Sequence, residues 1–289
     1  MWCDSVDILS TNTLTLDLEF VGDARSPQTC RIYQIALVRA HGEPTVFTRY
    51  VHPIVSDDVL QAAVHGPITR EYLDKQGAVP AHQALAEMVQ FMATSCDAER
   101  PIHMLCHNAP IDSAVLWFEM RRHGVIGYRV PPITTLCTLS WARWACQGLA
   151  TDGTVAPYSL EALATRYLGA DYSEQNGPPH NALADALTLV AVVRAMMAKE
   201  HKPLSGVVLP LGQVSLRLVP GIGAGTEIRL VRHGLSCVQT LVQRTIDQAE
   251  HRSLTPDGVK QVLKQYTPDV RWQNDVGEAV LDIATAHDL

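Results

Sequence analysis

No surplus of positive charge runs through this chain: 23 lysines and arginines face 30 aspartates and glutamates, a formal net charge of −7. Attraction of the whole molecule to a polyanion is thereby excluded. A nucleic-acid enzyme of this balance needs a local basic rim and cations in its site. The same deficit argues against a high-affinity, sequence-reading duplex binder. No CxxC or CxxH spacing connects the seven cysteines (Cys3, Cys30, Cys96, Cys106, Cys137, Cys146, Cys237), and their number is odd. With no secretory pattern in the opening MWCDSVDILST, they read as free thiols of a reducing compartment, not as disulfides or a zinc site. No stretch is long and uncharged enough to span a bilayer, since the most apolar one, residues 182–198, contains Asp185 and Arg194. Internal repeats and low-complexity segments are also missing. A soluble intracellular protein is the expectation.

At 289 residues and 47% hydrophobic, the chain can bury one large core, or one core plus a smaller unit. Residues 13–19 (TLTLDLE) alternate like a strand, and Arg31–Arg39 and 45–51 are two further candidates. Short gaps separate them, which suggests an antiparallel meander. From Pro80 onward, Leu85, Met88, Val89 and Met92 recur at helical spacing. A strand at Ile102–Cys106, a helix over 111–122, a strand at 133–136 and a helix through Trp141 and Trp144 follow. Ser159 reads as an N-cap, with Glu161 in the first turn. The last long helix runs over about 181–199. Three strands followed by alternating helix and strand imply an α/β fold, a mixed sheet flanked by helices. Residues 201–226 are punctuated by Pro and Gly and read as a linker between a domain at 1–200 and a smaller α/β segment at 227–289.

Asp17 and Glu19 are two apart on a strand, so both leave the same face, while Leu16, Leu18 and Phe20 point the other way. Neighbouring buried carboxylates repel and need a cation or a shared proton; an edge strand with a solvated face is the plainer alternative. Asp112 follows the run from Cys106 and could be no more than a helix-start acid. His180 and Asp185 are 1.4 helical turns apart and diverge if both are helical. If His180 sits on the loop or cap, it can swing over the site that Asp185 faces. Asp185, inside an otherwise apolar stretch, is the less expected feature, because a buried unpaired carboxylate is costly.

Asp17-Leu-Glu19, the block from His107-Asn108 to Asp112, and His180 with Asp185 five positions later resemble the three exonuclease motifs of DEDDh nucleases. That family includes proofreading subunits, ribonuclease T, TREX-type enzymes and oligoribonucleases. The resemblance runs from about residue 13 to 198 and takes in Tyr33-Gln-Ile-Ala-Leu-Val38, Val64-His-Gly-Pro-Ile-Thr69 and Tyr158-Ser-Leu-Glu-Ala-Leu163. It implies an RNase H-like sheet, three antiparallel strands and then parallel ones. The activity it implies is a metal-dependent 3′→5′ exonuclease releasing nucleoside 5′-monophosphates from single-stranded or frayed DNA or RNA ends. Two ions about 3.5–4 Å apart stabilise such a transition state and its leaving oxygen. Oxygen-only ligands suit Mg²⁺ or Mn²⁺. By the resemblance, Asp17 bridges both ions, Glu19 and Asp185 complete one, and Asp112 holds the other, largely through water. His180 is the general base, an imidazole being suited to take a proton near neutral pH. Leu18, Phe20, His65 and Asn108 would touch substrate. Two departures stand out: Pro110-Ile111 replaces the usual aromatic before Asp112, and Phe20 stands where a smaller residue is frequent.

Arg121, Arg122, His123, Arg129 and Arg143 are the candidate basic rim, with Trp141 and Trp144 read as core before stacking platforms. In the tail, Glu227-Ile-Arg-Leu-Val-Arg-His-Gly234, Leu254-Thr255…Gly258 and Ile283-Ala-Thr-Ala-His-Asp-Leu289 resemble the opening of a histidine phosphatase domain: a strand delivering Arg232-His233-Gly234, a helix start, and a further strand over 283–289. The alternatives to a nuclease are therefore a catalytically silent nucleic-acid-binding or scaffold module, and the regulatory part of a longer phosphatase. A tail that docks a protein partner is a further expectation.

Overall fold

A computed structural model describes residues 2–3, 10–24, 26–39, 41, 45–63, 66–125, 132–146, 158–170, 172, 180–249, 253–270, 272 and 275–286. The chain divides into two compact units, Asp4–Gly206 and a smaller one combining Met1–Cys3 with Val207–Leu289. The two-residue strand β1 (Trp2–Cys3) belongs to the smaller unit.

In the larger unit, β2 (Thr13–Val21) pairs antiparallel with β3 (Arg31–Arg39), and β3 antiparallel with β4 (Thr45–His52). Short helices α1 (Asp57–Gln61) and α2 (Arg70–Lys75) lead to β5 (Val79–Pro80), which lies parallel beside β4. The helix expected after Pro80 is α3 (Ala81–Ser95), with Leu85, Met88, Val89 and Met92 all buried. Then β6 (Ile102–Cys106) pairs parallel with β2, and β7 (Ile133–Cys137) parallel with β6, on either side of α4 (Ala109–Arg122). The strand order across this unit is β7-β6-β2-β3-β4-β5. This is the expected RNase H-like mixed sheet, three antiparallel strands extended by parallel ones and flanked by helices.

Helices α5 (Thr138–Ala145), α6 (Leu160–Leu168) and α7 (Ala182–Glu200) complete the unit. Ser159 caps α6 by accepting from the Ala162 amide, satisfying a donor that the helix start leaves open. β2 is thus not an edge strand, being flanked by β3 and β6. Its Thr15, Asp17 and Glu19 face is not bathed in solvent either. α7 packs there, and the Thr15 hydroxyl donates to the Ala186 carbonyl at 3.0 Å. Leu14, Leu16 and Leu18 fill the opposite face. Among the described residues, no helix is long and apolar enough to cross a membrane.

The smaller unit holds β8 (Gly206–Pro210) from Val207 onward, paired with β1, and, among the described residues, four α-helices: α8 (Ala224–Arg232), α9 (Val238–Gln248), α10 (Pro256–Tyr266) and α11 (Val276–Ala286). The strand expected to deliver Arg232-His233-Gly234 is instead the helix α8, and residues 283–286 of the strand expected over 283–289 are the end of the helix α11, the remaining three lying outside the described residues. Burial explains both corrections. Glu227 and Leu230 are buried three apart, and Val276, Val280 and Ala284 are buried while Glu278 and Asp282 midway between them are exposed, a helical period and not an alternating one. Among the described residues, four α-helices of this unit contribute to one core, beside the strands β1 and β8. Residues 201–226, read as a linker, contain β8, a 3-10 turn at Leu216–Leu218 and the start of α8.

Candidate active site

Asp17 is at the middle of β2 and Glu19 nearer its C-terminal end, with Glu19 only 5% exposed and Asp17 partly buried. Asp112, 8% exposed, is in the first turn of α4, just beyond the C-terminal end of the neighbouring β6. Asp185 is in the first turn of α7, where the helix dipole favours an acid. His180 precedes that helix with φ +63, in the left-handed region, and its side chain is exposed. Its backbone N–H donates to Asp185 Oδ2 at 3.0 Å. The histidine is therefore on the loop side of the cap, the arrangement that allows it to face the same space as Asp185.

All five line one cavity of about 510 Å³, together with Leu18, Phe20, Asn108, Ile111 and the Gly22–Ala24 turn. Glu19, His180 and Asp185 each offer a ligand atom within 4.8 Å of the other two. No lysine or arginine is among the described residues lining the cavity. Asp17, Glu19, Asp112 and Asp185, with Asp23 on the turn, thus share a space whose described lining offers only the imidazoles of His107 and His180 against them.

The electrostatics follow from that imbalance. Burial, then the charges of Asp112, Asp185 and Glu19, hold the Asp17 carboxyl well above its ordinary range. Burial pushes Glu19 up to about 7; the Tyr33 hydroxyl opposes this and the Asp185 charge adds to it. Asp112 is pushed up to about 7 by burial, opposed by its own backbone amide and helped by the Glu19 charge. Asp185 is raised by burial against the opposing influence of His180. Hard oxygen donors crowded at this density suit a hard divalent cation, which would replace the missing solvation and cancel the repulsion. The residues therefore fit such an ion.

Leu18, Phe20 and Asn108 line the cavity, whereas His65 lies outside the described residues. The basic-rim candidates do not gather there. Arg121, Arg122 and His123 are at the far end of α4, about 15 Å along the helix from Asp112. Arg122 is ion-paired with Glu119 and donates to the Gln28 carbonyl. Arg143 is exposed on α5, and Arg129 is outside the described residues. Trp141 is buried core, its indole N–H donating to the Pro203 carbonyl at 2.9 Å, while Lys202 sits over the Trp144 ring. His107 also lines the cavity, its ring fixed by two hydrogen bonds. Its Nε2 lies 2.7 Å from the Tyr158 carbonyl and so carries the proton, its Nδ1 meets Thr138, and burial lowers its pKa to about 4. Cys30, Cys96, Cys106, Cys137, Cys146 and Cys237 are all free thiols.

The sequence reading missed the turn after Glu19. Gly22 takes φ +114, and a Cβ there would meet Cys30 Cα at 3.0 Å, so only glycine brings this turn to the cavity wall. Tyr33, Gln34 and Asn181, which hold the site from behind, were also not singled out as site residues. A lone Gly-Asp and a Tyr-Gln inside an apolar strand carry no signal of such a role.

The sheet order and the acidic cavity at the strand ends define a class: an RNase H-like fold bearing a cation-seeking carboxylate site. The chain belongs to the exonuclease family of the ribonuclease T type, whose family profile matches residues 14–193, well over half of its length. Two solved structures share the fold. Cell-death related nuclease 4 is 15% identical with a TM-score of 0.50, over 66% of this chain and 65% of that one. A full-length 3′-exonuclease is 18% identical with a TM-score of 0.50, over 66% of this chain and 83% of that one. The chain thus matches slightly less than two thirds of the first relative's length. No curated protein shows significant similarity to it.

Proposed function

We propose that the chain is a metal-dependent 3′→5′ exonuclease that hydrolyses the terminal phosphodiester of single-stranded or frayed nucleic acid and releases nucleoside 5′-monophosphates. The observation that carries this reading is the convergence of Asp17, Glu19, Asp112 and Asp185 on one cavity with no lysine or arginine among its described lining residues. Asp17, Glu19, Asp112 and Asp185 would hold two divalent ions, Mg²⁺ or Mn²⁺. Bound there, the ions supply Lewis-acid neutralisation of charge on the scissile phosphate and the leaving oxygen.

The remaining work falls to the chain's own residues. His180, exposed on its loop beside Asp185, takes the proton from the attacking water. Phe20, on the cavity wall, supplies a flat apolar surface for the terminal base, and Leu18 packs beside it. Polarity rests on the family resemblance, supported by the 3′-exonuclease whose fold this chain shares.

The test is digestion of 5′-labelled, sequence-matched DNA and RNA oligonucleotides in Mg²⁺ or Mn²⁺. A ladder shortening from the 3′ end is expected, abolished in Asp17→Ala and in Asp185→Ala. Full activity in either variant sinks the assignment. Binding without cleavage in both metals would instead identify a silent binding module.

A further inference from the structure

The carboxylates of the proposed site hang from separate elements, and two of those elements are tied to one short stretch of β3. The register of β2 against β3 slips between Glu19 and Phe20: Glu19 faces Gln34, but Phe20 faces Ile32. Tyr33 is the extra residue. In an unbroken strand Tyr33 and Gln34 would point to opposite faces. A bulge instead sets both against the single residue they jointly oppose, which here is Glu19.

Both side chains then act on the same site. Tyr33 is 4% exposed, and its hydroxyl donates to Glu19 Oε2 at 3.2 Å. Gln34 is 3% exposed; its Oε1 accepts from the Ala182 amide at 3.1 Å and its Nε2 donates to Asn181 Oδ1 at 3.4 Å. Asn181 is the N-cap of α7, accepting from the Leu183 and Ala184 amides, and its own Nδ2 donates to the Tyr50 hydroxyl at 3.2 Å. His180 and Asp185 stand on either side of this cap. Neither Tyr33 nor Gln34 is among the residues lining the cavity.

We propose that the bulged pair Tyr33–Gln34 is the positioning element of the metal site: Tyr33 aims the Glu19 carboxylate, and Gln34 sets the helix start that carries His180 and Asp185. One backbone irregularity thereby fixes the separation of ligands that come from a strand and from a helix more than 160 residues later. The inference rests on the reading of the site given above. Groups that orient a metal's ligands change its affinity by about 10- to 100-fold when removed. Tyr33 is suited to a clean test. Its ring packs with Val21, Leu60 and Leu73, and Tyr33→Phe keeps that packing while deleting only the hydroxyl.

The experiment measures Mn²⁺ binding to the full chain by calorimetry without nucleic acid, beside the Mn²⁺ concentration that gives half-maximal digestion. In Tyr33→Phe both are expected to weaken by about 10- to 100-fold, with the melting temperature in EDTA unchanged and the rate at saturating Mn²⁺ largely restored. Gln34→Leu is the second variant. It should weaken Mn²⁺ binding similarly, but with a lower melting temperature, since the start of α7 loses two hydrogen bonds. If wild-type protein binds Mn²⁺ and digests, while Tyr33→Phe binds equally well, the positioning role alone is overturned. If wild-type protein binds no Mn²⁺, the metal site falls and the positioning role with it.

Discussion

Glu19→Gln should make the metal-free protein more stable, although it removes a proposed ligand. Glu19 is buried and shares its cavity with four other acids, and its pKa moves from an ordinary 4.5 to about 7 on folding. At about 1.4 kcal/mol per pH unit, that displacement amounts to roughly 3 kcal/mol of lost stability once the group is ionised in both states. The sign is that of a carboxyl with a raised pKa. Below about 4.5 the group is protonated folded and unfolded, and nothing is lost. Between about 4.5 and 7 the folded state holds the proton more tightly, so stability falls as pH rises through this window. Above about 7 the full penalty remains. Glutamine carries no charge at any of these pH values and still offers its carbonyl oxygen to the Tyr33 hydroxyl. In EDTA at pH 8, Glu19→Gln should therefore melt about 6–12 °C above wild type, taking about 2–4 °C per kcal/mol for a unit of this size. The advantage should shrink as pH is lowered and vanish near pH 4.5. Saturating Mn²⁺ should reverse the ranking, because wild type then gains a ligand–metal bond where it had uncompensated charge. The assay is a set of thermal melts by circular dichroism at three pH values, with EDTA or Mn²⁺. A variant no more stable than wild type in EDTA at pH 8 refutes the reasoning, and so does a gain that persists undiminished at pH 4.5.

Other substitutions probe separate parts of the structure. His107→Ala removes a neutral imidazole held between Thr138 and the Tyr158 carbonyl, so it should cost about 1–3 kcal/mol in a denaturant melt while leaving Mn²⁺ affinity within twofold. A large loss of metal affinity without loss of stability would place His107 among the ligands instead. Phe20→Ala removes the apolar face on the cavity wall and should weaken binding of a single-stranded oligonucleotide by about tenfold, the effect of about 1.4 kcal/mol of stacking; unchanged binding in a fluorescence titration would remove Phe20 from the substrate surface. Gly277→Ala places a Cβ at 2.3 Å from the Pro256 carbonyl oxygen, so the helical unit must open there at a cost of about 1–3 kcal/mol, seen as a lower melting transition. An unaltered melt would mean that α11 and the start of α10 are not in tight contact.

What could be read without coordinates was whatever depends on local periodicity and on residue chemistry. The alternation over residues 13–19 located β2 and put Asp17 and Glu19 on one face, and Ser159 announced α6 through its cap. The acid inside an apolar helix marked Asp185 before any partner was visible. The tail shows where such reading fails: Glu227-Ile-Arg-Leu-Val alternates over too few residues to separate a strand from a helix, and burial against a shared core settles it as a helix. The short helices α1 and α2 carried too little periodicity to be found. Site geometry was lost for a different reason. His180 takes a left-handed backbone that its residue type only weakly favours, and Tyr33 turns toward Glu19 because two strands pair out of step. Pairing register is a relation between segments, and neither segment carries it alone. From residue types one can list the acids that a cation would attract, but the hydrogen bonds that aim those acids depend on the register. Tyr33 and Gln34 look like interior residues of an unremarkable strand until β2 is laid beside β3, and only then does their grip on Glu19 and on the start of α7 appear.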